Sequence, residues 1–332
     1  IRRSFIMRTR RLGKTNLELT VIGFGSWAIG GGGSKISWGP QDDSESIAAI
    51  KKALDLGINW IDTAAIYGLG HSEEIVGKAI KGISKRPIIA TKCGLVWDEK
   101  KNITNRLKRE SIKNEAEASL KRLDIDVIDL YQIHWPIPDE DIEEGWEAMA
   151  QLVKEGKVRY IGVSNFNVSQ MKRAQSIYPI ASLQPPYSML KRDVEEDIFP
   201  FCRQNSIGIV VYSPMQKGLL TGKITRERVT NFPEDDHRRN DPDFNEPLIS
   251  FNLELVDKLV PIARKHNKTL AQLAIAWVLR RPEVTSAIVG ARRPDQIAET
   301  VLAGDWILPQ EDIDNIEKLL AEREQKIMNM NK

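Results

Sequence analysis

The chain has 332 residues, of which 41% are hydrophobic and 28% charged, with a formal net charge of +2. That balance describes a globular protein able to bury a large core, and its near-neutrality gives no reason to expect a nucleic-acid or acidic-membrane partner. No apolar run approaches the ~20 residues that cross a bilayer, and the two cysteines, Cys93 and Cys202, match no metal-ligand or redox spacing.

Residues 1–6 lack the apolar centre of a signal peptide. Met7 is a candidate start, and fold reasoning takes 7–332 as one domain with 1–6 as an extension. Reduced thiols and the absence of a leader fit a cytoplasmic protein, and nothing demands more than a monomer. The chain opens on a predicted hairpin, Thr9–Leu12 and Leu17–Thr20. Short β-branched runs then alternate with amphipathic stretches, the pattern of a parallel sheet. Eight strands are predicted: Val21–Gly25, Asn59–Asp62, Pro87–Lys92, Val127–His134, Tyr160–Val163, Ala181–Gln184, Ile209–Tyr212 and Ala287–Val289. Most are continuous apolar runs, as strands covered on both faces should be. Between them the 3.6-residue period is clear, for example at Ile112, Ala116, Leu120 and Leu123. Eight such units favour an α/β fold of the (β/α)8 TIM-barrel type.

The regular spacing breaks between the seventh and eighth strands. Thr225–Leu248 is rich in charge and proline and is expected to be a long loop, of the kind that in compact domains is usually functional. Helices Ser250–Lys265 and Leu270–Leu279 follow, and Pro309–Gln325 is expected to form a last helix. Gly23-Phe-Gly25-Ser-Trp-Ala28 matches a dinucleotide fingerprint by spelling, but it runs into glycines rather than opening a helix. It is taken as a strand-end turn, with Trp27 free to line a pocket.

Four polar residues stand at or just beyond three successive strand ends: Asp62, Tyr67, Lys92 and His134. In a barrel of this kind catalytic groups converge on the C-terminal rim. Each has a bland explanation singly: an ion pair, a helix cap, a core histidine. An acid, an amine, a phenol and an imidazole on one rim together suggest a site. They suit carbonyl reduction, in which the oxygen gains charge and needs a proton donor. Tyr67 is the candidate donor, with Lys92 expected to lower its pKa, Asp62 to hold the ammonium and His134 to orient the carbonyl. Further along the rim, Ser164, Asn165 and Gln184 can bind a carboxamide and Tyr212 offers a flat face. Val289-Gly-Ala-Arg-Arg-Pro-Asp leads into a helix near Pro294, where Arg292 and Arg293 can meet a phosphate. Trp27, Trp97 and Trp135 are candidates for an apolar mouth.

Five segments in order resemble the aldo-keto reductase superfamily, in particular its bacterial general stress protein-like branch. They are Gly57-Ile-Asn-Trp-Ile-Asp-Thr-Ala-Ala-Ile-Tyr-Gly68, the Lys92 strand end, Leu120-Lys-Arg-Leu123 with Asp129-Leu-Tyr-Gln-Ile-His-Trp-Pro136, Gly162-Val-Ser-Asn-Phe166, and Tyr212-Ser-Pro through Gly222. The resemblance implies a barrel, a tetrad of Asp62, Tyr67, Lys92 and His134, and an extended NADP(H), with NAD(H) second in preference. It implies carboxamide contacts from Ser164, Asn165 and Gln184, a ring stacked on Tyr212, and contacts from Ser26, Trp27 and Asp62. Pyrophosphate contacts would come from Ser213, Pro214, Gln216, Gly218, Leu219 and Gly222. The adenosine phosphate would meet Gly290, Ala291, Arg292, Gln296, Glu299 and Thr300. Gly290-Ala291 and Gln296 depart from the better-known animal members, leaving 2′-phosphate recognition mainly to Arg292. The implied activity is reduction of small aldehydes and ketones. A cofactor-sensing protein with little turnover, and a lyase or isomerase using Lys92 as a Schiff-base amine, are the rival readings.

Overall fold

A computed structural model describes residues 7–32 and 37–330; the N-terminal extension 1–6 lies outside them. An antiparallel hairpin, β1 (Thr9–Arg11) and β2 (Glu18–Thr20), precedes the barrel strands β3 (Ile22–Gly25), β4 (Trp60–Asp62) and β5 (Ile88–Cys93). A second hairpin, β6 (Leu95–Trp97) and β7 (Ile103–Asn105), follows β5 directly. The barrel continues with β8 (Ile128–Ile133), β9 (Val158–Ser164), β10 (Ser182–Gln184), β11 (Gly208–Val211) and β12 (Val284–Gly290). The eight parallel strands close in the order β3-β4-β5-β8-β9-β10-β11-β12, so this is a (β/α)8 barrel and each strand end neighbours the next.

The helices are α1 (Asp43–Asp55), α2 (His71–Ile80), α3 (Arg109–Leu123), α4 (Ile142–Lys154), α5 (Val168–Ile177), α6 (Ile198–Asn205), α7 (Arg226–Thr230), α8 (Leu248–Lys265), α9 (Leu270–Leu279), α10 (Pro294–Thr300) and α11 (Gln310–Met330). Strands β3, β4, β8 and β11 are buried along their whole length, which is why they read as unbroken apolar runs. The N-terminal hairpin has a clear structural part. Leu12, Leu17 and Leu19 pack against Trp60, Ala90, Leu130 and Val210 inside the barrel, and the Gly13 turn presses on the starts of β10 and β11. One end is therefore plugged, leaving the carboxyl ends of the strands as the open face.

Two expectations need correction. The β6–β7 hairpin was not anticipated: its three-residue strands are too short for a period-2 signal, and none of its residues is fully buried. The segment 225–248 is not a bare loop. It holds α7 and 3-10 turns at His237–Asn240 and Pro242–Phe244, capped by the Asp236 and Asp241 carboxylates. Phe232 and Phe244 meet edge to face at 5.9 Å and join Leu219, Ile224 and Ile249 in a satellite core. Four or five apolar residues scattered among charges suffice to fold it, a pattern without periodicity.

Candidate active site

The open end of the barrel holds a cleft of about 940 Å3, within the range of about 300–1,000 Å3 usual for a ligand site. Asp62 closes β4 and Lys92 lies in β5, and the two strands pair in parallel. Tyr67 follows β4 on a turn pressed against the β3 loop. Gly68, at φ +62°, would place a Cβ 1.9 Å from the Gly30 oxygen, so both glycines are required for the tyrosine to sit where it does.

The Lys92 ammonium is fully buried and its three N–H groups have three acceptors: Asp62 Oδ1 at 2.6 Å, the Thr63 carbonyl at 2.9 Å and the Tyr67 hydroxyl oxygen at 3.3 Å. An ammonium has no lone pair. Tyr67 therefore accepts from Lys92 and keeps its own proton for another partner. Asp62 Oδ2 accepts from Gln184 Nε2 at 2.8 Å and weakly from Gln132 Nε2 at 3.5 Å. His134 meets Tyr67 edge to face at 5.8 Å, so the four residues do come together on the rim.

The electrostatics differ from expectation in one respect. Burial, seconded by the Asp62 charge, pushes the Tyr67 phenol well above its ordinary pKa, whereas the sequence suggested that Lys92 would lower it. The ammonium is shared with Asp62, and desolvation by burial dominates. Burial also draws the Lys92 pKa down, against the opposing pull of Asp62. It holds His134 well below 6.5, with the Lys92 charge acting in the same direction. The site thus presents a protonated phenol beside a neutral imidazole.

Beyond this group the cleft is lined by Ser164, Asn165, Gln184 and Tyr212. Ser164 Oγ donates to the Gln184 carbonyl at 2.8 Å, Asn165 Nδ2 donates to the His134 carbonyl at 3.0 Å, and the Tyr212 hydroxyl donates to Asn165 Oδ1 at 2.9 Å. Their polar groups are thereby fixed in place rather than left to rotate. Ser213, Pro214, Gly218, Gly290, Ala291, Arg292, Gln296, Glu299 and Thr300 also line the cleft, as do Trp27 and Trp135.

Several expected residues do not face it. Ser26 is buried and hydrogen-bonds Ser72 Oγ at 2.8 Å. Gln216 accepts from Ser188 Oγ at 2.8 Å and donates to Asp243. Leu219 belongs to the satellite core, and at Gly222 a Cβ would meet Leu270. Gln216, Leu219 and Gly222 shape the loop from within it. Trp97 also lies off the cleft, beneath the Arg122 guanidinium at 5.9 Å, while its hairpin lends Leu95, Ile103 and Asn105 to the lining. Arg293 pairs with Asp295 at 3.1 Å on the surface. Just before α10, Gln296 Oε1 accepts from the Arg292 and Arg293 backbone N–H groups at 2.7 and 3.2 Å.

Other residues were missed. Gln132 was quoted only as part of a motif, yet it is buried beside Asp62 and Gln184. Trp38, His237, Arg238, Lys223 and Arg228 also line the cleft without having been singled out, as does Lys217 within the segment 213–222. Ser37 bridges to Asp236, and Arg238, held bidentately by Asp236, lies over Trp38 at 4.8 Å. The β3–α1 loop and the 225–247 segment thus meet across the cleft. Arg292 joins them by donating to Gln41 and to the Trp38 and Pro40 carbonyls.

The fit to a nicotinamide dinucleotide is good on these grounds. The cleft carries fixed amides and a phenolic ring near the tetrad. The cations Lys217, Lys223, Arg228, Arg238 and Arg292 line it as well. No group of His, Cys, Asp and Glu among the described residues is arranged to hold a metal, and no described helix is long and apolar enough to cross a membrane.

Residues 21–321 match the model of the Aldo/keto reductase family. The chain belongs to that family. It is 42% identical to Aldo-keto reductase YhdN of Bacillus subtilis, covering 95% of this chain and 94% of that one. It is 36% identical to the NADH-specific methylglyoxal reductase of Escherichia coli, over 90% of this chain and 93% of the other. Among solved structures it superposes on the glycerol dehydrogenase AKR11B4 of Gluconobacter oxydans with a TM-score of 0.86 and 38% identity, each chain covered to 95%. The aldo-keto reductase likeness thus spans nearly the whole chain.

Proposed function

We propose that this aldo-keto reductase reduces aldehydes or ketones to alcohols, with Tyr67 as proton donor and NADP(H) as the preferred cofactor over NAD(H). The observation that carries the reading is the three-way engagement of the Lys92 ammonium, which turns the Tyr67 proton away from Lys92. A carbonyl oxygen placed in the cleft beside Tyr67 accepts that proton as it gains charge. His134, neutral and edge-on to the phenol, offers a hydrogen bond that fixes the carbonyl's orientation. Lys92 stabilises the phenolate left behind, and Asp62 keeps the ammonium in line.

Ser164, Asn165 and Gln184 would hold a carboxamide and Tyr212 a pyridine ring, while Lys217, Arg238 and Arg292 would receive phosphates. When bound, the dinucleotide supplies the hydride. Arg292 supports the preference for a 2′-phosphate. The Escherichia coli relative is named as NADH-specific, so the preference is to be measured in this chain and not inherited. The deciding experiment is oxidation of NADPH and NADH by the purified protein over a panel of aldehydes and ketones. Turnover lost in Tyr67→Phe with dinucleotide binding retained supports the reading. Turnover retained in that variant overturns it.

A further inference from the structure

The lining of the cleft divides according to the strands that deliver it. In the closed order, counted from β3, β5 and β8 come third and fourth and β11 and β12 seventh and eighth. The two pairs of strand ends therefore face one another across the barrel. Among the described residues, the Lys and Arg side chains of the lining all follow β11 or β12. The stretch between β5 and β9 brings Leu95, Ile103, Asn105, His134, Trp135 and Ile137 instead. None of these carries a charge, since burial keeps the His134 imidazole neutral.

Backbone hydrogen bonds hold this second wall together. The His134 N–H donates to the Cys93 carbonyl at 3.0 Å, so the 134–137 segment leaves beside the end of β5. The β6–β7 hairpin starts at the same place. The Gly94 N–H donates to Glu115 Oε2 at 2.8 Å, the Arg106 N–H donates to the Gly94 carbonyl at 3.0 Å, and Leu95 pairs with Asn105. Ile103, Trp135 and Ile137 are nonetheless 38%, 39% and 47% exposed. Large apolar side chains left singly to water are ordinary, but three on one wall of a cleft mark a surface that an apolar partner covers. His134 stacks on Trp135 at 6.4 Å and meets Tyr67 edge to face at 5.8 Å, so this wall adjoins the reacting centre.

Continuity with the proton donor makes the occupant the body of the carbonyl compound. An alkyl or aryl group laid on the wall removes apolar surface from water on both sides. A carboxylate or phosphate there would lose hydration without gaining a counter-charge, because the Lys92 ammonium is already engaged by Asp62, the Thr63 carbonyl and Tyr67. We propose that Leu95, Ile103, Trp135 and Ile137 are specificity-determining residues. They select carbonyl compounds with an uncharged apolar substituent, alkyl or aryl, over those bearing an anionic group. This inference rests on the carbonyl-reductase reading and names the substrate class of that same site.

The test uses the full chain and the single variants Ile103→Ala, Ile137→Ala and Ile137→Lys. For each, kcat/KM is measured with propanal, hexanal, succinic semialdehyde and the methyl ester of succinic semialdehyde. Kd values for propanol and hexanol, followed by fluorescence, need no turnover. The parent is expected to favour hexanal over propanal, and the ester over the acid, by about tenfold or more. The alanine variants should cut the hexanal preference about threefold, and Ile137→Lys should cut the ester preference about tenfold. Efficiencies that are equal within each pair overturn the proposal, as do preferences that the folded variants leave unchanged. If no aldehyde is reduced, the carbonyl-reductase reading fails, and hexanol then judges the wall. Its Kd should lie about tenfold below that of propanol and rise in the alanine variants; equal Kd values overturn the proposal.

Discussion

The Lys92 ammonium stands 3.3 Å from the Tyr67 hydroxyl oxygen, and that contact sets which way the tyrosine proton points. Because Lys92 can only donate, Tyr67 uses a lone pair there and its O–H is free to face the cleft. The other two donors of Lys92 go to Asp62 and the Thr63 carbonyl, so the ammonium cannot swing away. Removing the hydroxyl should therefore abolish proton donation without disturbing the cleft. Tyr67→Phe is expected to lower kcat for reduction about 100- to 10,000-fold, the usual worth of a positioned general acid. Steady-state kinetics beside a dinucleotide titration checks this, the Kd being expected to stay within about twofold of the parent.

The same geometry predicts an asymmetric pH profile. Burial raises the Tyr67 pKa, so the acid form persists through neutral pH and is lost only in alkali. His134 is pushed the other way, well below 6.5, so it stays neutral where an ordinary histidine would be taking up a proton. The sign is then fixed for each direction. Reduction needs the protonated phenol, so kcat/KM should be flat through neutrality and fall at alkaline pH. Alcohol oxidation needs the phenolate, so it should rise over that same alkaline range. A limb in the reduction profile near pH 6.5, about where an unperturbed histidine titrates, would show that His134 does ionise.

The strands, their order and the four rim residues could be read from the sequence, because each rests on a local signal. Buried strands are apolar runs, and Asp62, Lys92 and His134 stand at the ends of such runs. What could not be read depends on how loops approach one another. Trp38 and His237 are far apart in the chain and meet only because Ser37 bridges to Asp236. Gln132 sits mid-strand in an apolar run, and only barrel closure aims it at Asp62. The direction of the Tyr67 shift was misjudged for a related reason. The sequence supplied the neighbouring charge but not the desolvation, which proves the larger effect.

Arg292 is expected to decide cofactor preference, but in two parts. It lines the cleft and also ties down the 38–41 loop through Gln41, Trp38 and Pro40. In Arg292→Ala, loss of the loop tie should weaken both dinucleotides by a similar factor. Loss of a charged hydrogen bond to a 2′-phosphate, worth about 1.5–3 kcal/mol, should weaken NADPH by a further ten- to hundredfold. Parallel fluorescence titrations separate the two effects. Equal weakening of NADPH and NADH would mean that Arg292 acts through the loop alone.

Glu115 gives a stability prediction that is independent of the reaction. It lies on α3 with its carboxylate nearly buried, accepting from the Gly94 backbone N–H at 2.8 Å and from Ser111 Oγ at 3.0 Å. Gly94 lies just past the end of β5, two residues beyond Lys92, so this contact fixes the start of the β6–β7 hairpin. Burial raises the Glu115 pKa from 4.5 to about 7. A carboxyl group whose folded pKa is raised stabilises the fold fully below its unfolded pKa, and that contribution is lost as pH rises through the folded value. Stability should accordingly decline between about pH 4.5 and 7 and level off above, by at most on the order of 3 kcal/mol from this group. Glu115→Gln keeps an acceptor for Gly94 and a partner for Ser111 but cannot ionise. Its unfolding midpoint should match the parent near about pH 4, below the unfolded pKa, and exceed it at about pH 8, as followed by thermal unfolding at the two pH values. A variant less stable than the parent at pH 8 would mean that the ionised carboxylate is the form the fold prefers.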